Sequence, residues 1–196
     1  MHKRIQFTLL ISLVGLLILS ACSGSAETED WKVFTIEQEP AFDIQFRLPP
    51  GWLVDYAPNR DKPGQWDVIL VPPKCSPDQE IDYQENCVNL VAHIKGTSTF
   101  NEDDFMDLIS GDILLGQASG QTARLLGQDD FRVNRLKVSR FDHLIVTALG
   151  EVQMSTFFFE TDQSYYTFIT NFPYGEAQIA TIENFDLMLG SVKAVR

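Results

Sequence analysis

"STFFFETDQSYYTFIT", residues 155–170, decides the fold of this 196-residue chain. Two runs dense in aromatic and β-branched residues flank Thr161-Asp162-Gln163, three polar residues of the kind that turn a chain. Aromatic and β-branched side chains lose rotamer freedom in a helix and pack well on a pleated surface, so both runs read as strands. Runs this apolar suit the middle of a sheet, and the aromatics are read as core in preference to an exposed ligand platform. Outward from this hairpin, residues 122–171 hold four strand-like runs. Breaks are expected at Gln128-Asp129-Asp130, Phe141-Asp142-His143 and Thr161-Asp162-Gln163, giving an antiparallel meander.

Upstream, "FDIQFRL" (42–48) alternates strictly, with Phe42, Ile44, Phe46 and Leu48 on one face of a half-buried strand. Val33 and Ile36 alternate more loosely. Pro49, Pro50 and Gly51 stop the strand, and Trp52 is expected to lid the core beside that turn. Residues 66–73 and 87–96 are two further strands, the second placing Val88, Leu90, Ala92 and Ile94 on one face. Residues 97–117 read as a helix capped by Thr99 or Asn101, with Phe105, Leu108, Ile109 and Ile113 as its apolar stripe. A closing helix follows Pro173, with Ile179, Ile182, Phe185 and Leu189 inward and Asp186 outward. Strands, helix, antiparallel strands and helix in that order predict an α+β domain, a central antiparallel sheet flanked by helices.

The first residues are a basic start, His2-Lys3-Arg4, then an apolar run from Ile5 to Leu19, the pattern of a secretory signal too short to span a bilayer comfortably. It ends Leu19-Ser20-Ala21-Cys22, which resembles the lipobox of bacterial lipoproteins. The resemblance implies a signal peptide over 1–21, diacylglycerol on Cys22, and a lipidated N-terminus with a short flexible tether over 22–30, "CSGSAETED". Ser23 follows the cysteine, which by the same resemblance implies the outer membrane, facing the periplasm, in a cell with two membranes. The chain carries 15 basic and 27 acidic residues. Cleavage before Cys22 leaves 13 against 27, a net charge of −14, which argues against nucleic acid as a partner and suits a basic one. About 175 remaining residues fit a single domain over 31–196. With Cys22 lipidated, Cys75 and Cys87 remain, and two cysteines in an exported protein most simply pair. The closed loop "CSPDQEIDYQENC" would contribute about 3 kcal/mol.

Two short patterns are more specific. One is Ile44-x-Phe46-x-Leu48-Pro49-Pro50-Gly51-Trp52, a strand ending in proline. The other is Phe185-x-x-Met188-Leu189-x-Ser191-Val192-Lys193, a terminal helix running into a last short strand. With the element order, they resemble the PsbP-like and DcrB-like α/β/α sandwiches, a family that includes bacterial lipoproteins. The cystine loop departs from that pattern, as does Val192 where an aromatic is more usual. The resemblance implies a protein that binds or assists other proteins, often large membrane assemblies, and is not an enzyme.

Chemistry-bearing motifs are sparse. There is no G-x-S-x-G elbow, H-E-x-x-H pair, glycine-rich phosphate loop or C-x-x-C, and nothing calls for a cofactor. His93 and His143 lie on different expected strands, so a hydrolase built around either is the weakest alternative. Glu102, Asp103, Asp104 and Asp107, with Asp112, offer hard oxygen ligands to a divalent cation. They equally offset the dipole at a helix start, and that reading is preferred. The polar loop 56–66, with Arg60, Lys62 and Trp66, is the candidate binding loop beside the cystine loop, since loops on a rigid sheet often carry binding. The expected function is a lipid-anchored, non-enzymatic binding or assembly factor for a protein complex. A small-ligand or divalent-metal carrier is the alternative.

Overall fold

A computed structural model describes residues 30–73, 88–110, 122–147, 150–173 and 179–195. The described residues from Lys32 onward belong to one compact unit. Cys22, Cys75, Cys87, Asp112 and Ile113 lie outside the described residues, as do the side chains of Leu108, Ile109 and Ile179.

The strands are β1 (Lys32–Phe34), β2 (Ile44–Leu48), β3 (Leu53–Pro58), β4 (Gln65–Val71), β5 (Val88–Ile94), β6 (Thr122–Val133), β7 (Leu136–Thr147), β8 (Gly150–Glu160), β9 (Ser164–Pro173) and β10 (Lys193–Ala194). Helix α1 spans Glu102–Ser110 and α2 spans Ile179–Gly190. Seven strands form one antiparallel sheet in the order β3-β4-β5-β9-β8-β7-β6, and β1-β2-β10 form a small second sheet. The aromatic hairpin is where its composition puts it, with β9 central and β8 beside it in register Phe157↔Phe168.

Successive residues of a strand point to opposite faces, so Phe157-Phe158-Phe159 divides between two layers. Phe157 and Phe159 share a face with Tyr166 and Phe168. Against that face pack Phe42 and Phe46, flanking and within β2, and Phe185 of α2, with ring centroids 5.3–6.1 Å apart. Tyr166 stacks on Phe159 at 5.2 Å. Its hydroxyl donates to Asp43 Oδ1 and accepts from the Asp43 amide, both at 2.9 Å, which locks the start of β2 onto the main sheet. Phe158 faces the other way and meets Phe105 of α1, together with Phe141 and Tyr165.

The expectation of a sheet flanked by helices therefore needs correction. Among the described residues there are two helices, and the molecule is mostly antiparallel sheet. One face is covered largely by the small sheet, because β2 is apolar on one side only and buries Ile44, Phe46 and Leu48 there. Two of the expected breaks also fall inside strands: Gln128–Asp130 lies in β6 and Phe141–His143 in β7. Their carboxylates are held within the sheet. Asp130 accepts from Ser139 and pairs with Lys137, and Asp142 accepts from Arg140 and Ser155. The real turn is Asn134-Arg135, where Asn134 has φ +50° and its amide side chain donates to the Val192 carbonyl after α2. Ile182, expected inward, is 38% exposed, and Met188 is fully buried in its place beside Phe185 and Leu189.

Helix α1 starts on a reciprocal cap. The Asp103 and Asp104 amides donate to Asn101 Oδ1, and the Asn101 amide donates to Asp104 Oδ2. Asn101, not Thr99, is the capping residue. Asn101→Ala removes the acceptor of two helix-start amides and is expected to cost about 1 kcal/mol. Urea unfolding with an unchanged slope would read that loss, and an unchanged midpoint would contradict the cap.

Candidate binding site

The loop expected over 56–66 is three things: the end of β3, a tight turn, and the start of β4. Strand β3 is hidden in the sequence because it is an edge strand whose side chains are nearly all exposed, so it carries no apolar alternation. In the turn, Asn59 Oδ1 accepts the amides of Asp61 and Lys62, and its Nδ2 donates to Asp67 Oδ2 at 2.7 Å. Gly64 finishes the turn with φ +74°. Its carbonyl accepts the Ile94 amide at 2.7 Å, and its α-carbon lies so close to the chain at Thr97 and Ser98 that a Cβ there would sit 2.4 Å from the Ser98 nitrogen. That contact presses the turn against the segment leading into α1.

Between them lies a cavity of about 480 Å³. Its floor is Gln65 and His93, directly opposite each other on β4 and β5. Gln65 is buried, with Nε2 donating to Asp67 Oδ1 at 2.6 Å, and its Oε1 has no partner among the described residues. The His93 ring stacks on Phe100 at 4.1 Å and 16°, and its Nδ1 is 3.4 Å from Ser98 Oγ. Lys62 stands on one rim, Asp104 and Asp107 on the other.

The structure thus brings Lys62 of the candidate loop together with Asp104 and Asp107 of the acidic run. It does not bring the rest. Arg60 is exposed and outside the cavity lining. Trp66 points to the opposite face of β4, near Tyr56, and donates to Glu39 Oε2 at 3.3 Å. Glu102 and Asp103 are exposed on the first turn of α1 and do not line the cavity. Among the described residues no three His, Cys, Asp or Glu side chains converge as a metal site. Sequence reading does not find Gln65, Ser98 and Phe100, and it finds His93 only as a strand residue. Their common signal is the β4–β5 register, which spacing along the chain does not reveal.

Burial, then the Lys62 ammonium, hold the His93 pKa below its ordinary value, while Asp67 and Asp104 pull the other way. Burial likewise lowers His143, whose Nδ1 has no partner among the described residues. A histidine that titrates lower folded than unfolded makes the unfolded chain take protons first as pH falls through about 6.5. The stability these residues contribute is complete above that pH and declines on acidification below it. The unfolding midpoint is expected to drop between pH 7.5 and 5.5, roughly one unit either side of the ordinary histidine pKa, and the His93→Gln/His143→Gln variant to lose part of that slope. An identical slope in the variant would refute the assignment.

Ser98 Oγ accepts the Phe100 amide at 3.1 Å and lies 3.4 Å from His93 Nδ1, a long contact for a hydrogen bond. The carboxylates that act on His93 are also engaged, Asp67 by Asn59 and Gln65, Asp104 by the Asn101 amide. A second, larger concavity of about 1370 Å³ lies around Asp43, Lys95 and Glu160. There Thr161 Oγ1 and the Tyr166 hydroxyl both donate to Asp43 Oδ1, and Lys95 pairs with Glu160 at 2.7 Å over the Tyr165 ring.

No family model matches the chain, and no curated protein matches it. Among solved structures, the cyanobacterial PsbP (CyanoP) of Synechocystis aligns over 88% of this chain and 96% of its own, with a TM-score of 0.53 at 14% identity. The fold is PsbP-like. A Bacteroides thetaiotaomicron crystal structure aligns with a TM-score of 0.52 at 10% identity, over 84% of this chain and 48% of its own, so this chain spans about half the length of that protein. The yeast Ran-binding protein Mog1p shows a looser likeness, a TM-score of 0.43 at 12% identity over 84% of this chain and 95% of its own. At these identities the PsbP-like likeness concerns the fold alone, and function has to be argued from the site.

Proposed function

We propose that this chain is a lipid-anchored cell-envelope protein that acts as a non-enzymatic binding or assembly factor for another envelope protein. The observation that carries the binding role is the cavity at the β3–β4 turn, on which a hydrogen-bonded turn and a capped helix start converge. The anchor rests on Leu19-Ser20-Ala21-Cys22, and the outer membrane facing the periplasm is its proposed location in a cell with two membranes. Cys75 and Cys87 are proposed to pair. The second reading, a carrier of a small polar ligand, is favoured by a cavity volume within the range of metabolite sites.

Labelled palmitate should enter the wild-type chain and not Cys22→Ala, and an unlabelled wild type would overturn the anchor. Two free thiols in the unreduced full-length chain would overturn the disulfide. Gentle crosslinking in intact membranes should trap one defined partner. Crosslinking that traps none, with a metabolite copurifying instead, would replace the assembly reading by the carrier reading.

A further inference from the structure

The cavity at the β3–β4 turn has a lopsided chemistry. Gln65 Oε1 is enclosed and accepts nothing among the described residues. Asp104 and Asp107 stand on the helix side, and Glu102 and Asp103 extend the negative surface along the same first turn. Among the described residues, the one lysine or arginine of the lining is Lys62, exposed on the opposite rim. His93 stacked on Phe100 supplies a flat aromatic wall. A site rich in acceptors, negative on balance and walled by a ring pair suits a planar cation with several donors, and a guanidinium has five donors and stacks on aromatic faces. An anion would meet the carboxylates of a helix start whose amides are already capped by Asn101 and so not free to bind it. The chain as a whole is acidic, at −12, which favours encounter with a basic surface.

We propose that this cavity takes the guanidinium of an arginine presented by a basic protein partner, with Asp104 and Asp107 as its counter-charges and Gln65 Oε1 as the acceptor that fixes its position. The proposal rests on the reading of the chain as a binding factor. Lys62 then works against the ligand. Its ammonium repels the incoming cation and weakens its binding. That gives the proposal a sign test, because an anion site would depend on Lys62 instead.

The probe is N-acetyl-arginine amide, titrated into the full-length chain in detergent micelles and followed by backbone amide shifts. N-acetyl-citrulline amide, the uncharged isostere, is the control. A free probe of this size is expected to bind on the order of millimolar. Shifts should localise to residues 62–65 and 93–104 with arginine and be absent with citrulline. Asp107→Asn should weaken binding about tenfold, and Lys62→Gln should strengthen it about threefold, with residues 138–158 unshifted in both as a check that the sheet is intact. Equal shifts with citrulline, no shift at about ten times the expected Kd, or weaker binding in Lys62→Gln would overturn the proposal. A partner trapped by crosslinking whose capture is unchanged in Asp107→Asn would overturn it too while leaving the binding-factor reading standing. Failure of both the probe and the capture would remove the reading itself.

Discussion

Gly64→Ala is expected to destabilise the domain by about 3–5 kcal/mol, whereas Gly96→Ala should cost only about 1–2 kcal/mol. Both glycines have left-handed φ, +74° and +76°. The backbone penalty for placing an L side chain there is therefore shared. The surroundings differ. A Cβ on Gly96 meets nothing within 4 Å, while one on Gly64 would lie 2.4 Å from the Ser98 nitrogen and under 3 Å from two further backbone atoms. Backbone has no rotamer to swing away, so either the turn or the segment before α1 must shift. The Gly64 carbonyl that accepts the Ile94 amide is then misplaced, and the His93–Phe100 stack with it. Urea unfolding of the two variants side by side reads the difference. Equal costs would mean that the turn and the helix-leading segment are not pressed together as described.

The second large effect is at Phe168. It is wholly buried and touches rings from three elements, Phe46 of β2 at 5.8 Å, Phe159 of β8 at 6.0 Å and Phe185 of α2 at 6.1 Å. Phe168→Ala leaves a void at the meeting point of both sheets and the closing helix, and is expected to cost about 3–5 kcal/mol. That is a large share of the roughly 5–15 kcal/mol that stabilises a domain. Phe168→Leu keeps most of the volume and should cost about 1–2 kcal/mol. A loss below about 1 kcal/mol for alanine would show that the small sheet and α2 do not close over this face.

Much of this architecture is legible in the sequence. Where one face of a strand is apolar, period-two spacing finds it, as in β2 and β5, and aromatic density finds β8 and β9. The terminal strand after α2 follows from the pattern around Ser191. Reading fails where polarity has a structural use. Asp129, Asp130 and Asp142 resemble turn residues in sequence, yet each sits in a strand, with Asp130 and Asp142 satisfied by side chains across the ladder. Strand β3 is an exposed edge and leaves no pattern. The face-covering role of the small sheet is hidden because an amphipathic strand looks the same in either sheet. At the site, Lys62, Asp104 and Asp107 stand out separately. Nothing along the chain relates them, since it is the pairing of Gln65 with His93 and the Gly64 approach to Ser98 that make them neighbours.

The order of strands in the large sheet bears on when this site comes into being. Strands β3, β4 and β5 pair in sequence, and so do β6, β7, β8 and β9, so each group is a run of antiparallel pairs between strands consecutive in the chain. One junction joins them, β5 against β9, where Val88 meets Thr170 and Ile94 meets Ser164. Closing it brings together chain segments far apart, the kind of contact that slows folding. His93 lies on that seam, opposite Tyr165, and Tyr165 in turn receives Phe100 and Phe105. The cavity's own lining, from Lys62 to Asp107, lies on one side of that junction, but its helix wall is backed across the junction by Tyr165 of β9 through Phe100 and Phe105. A chain arrested as two separate meanders would hold nearly all its strands, yet the aromatic wall of the site and the start of α1 would lack the ring they rest on.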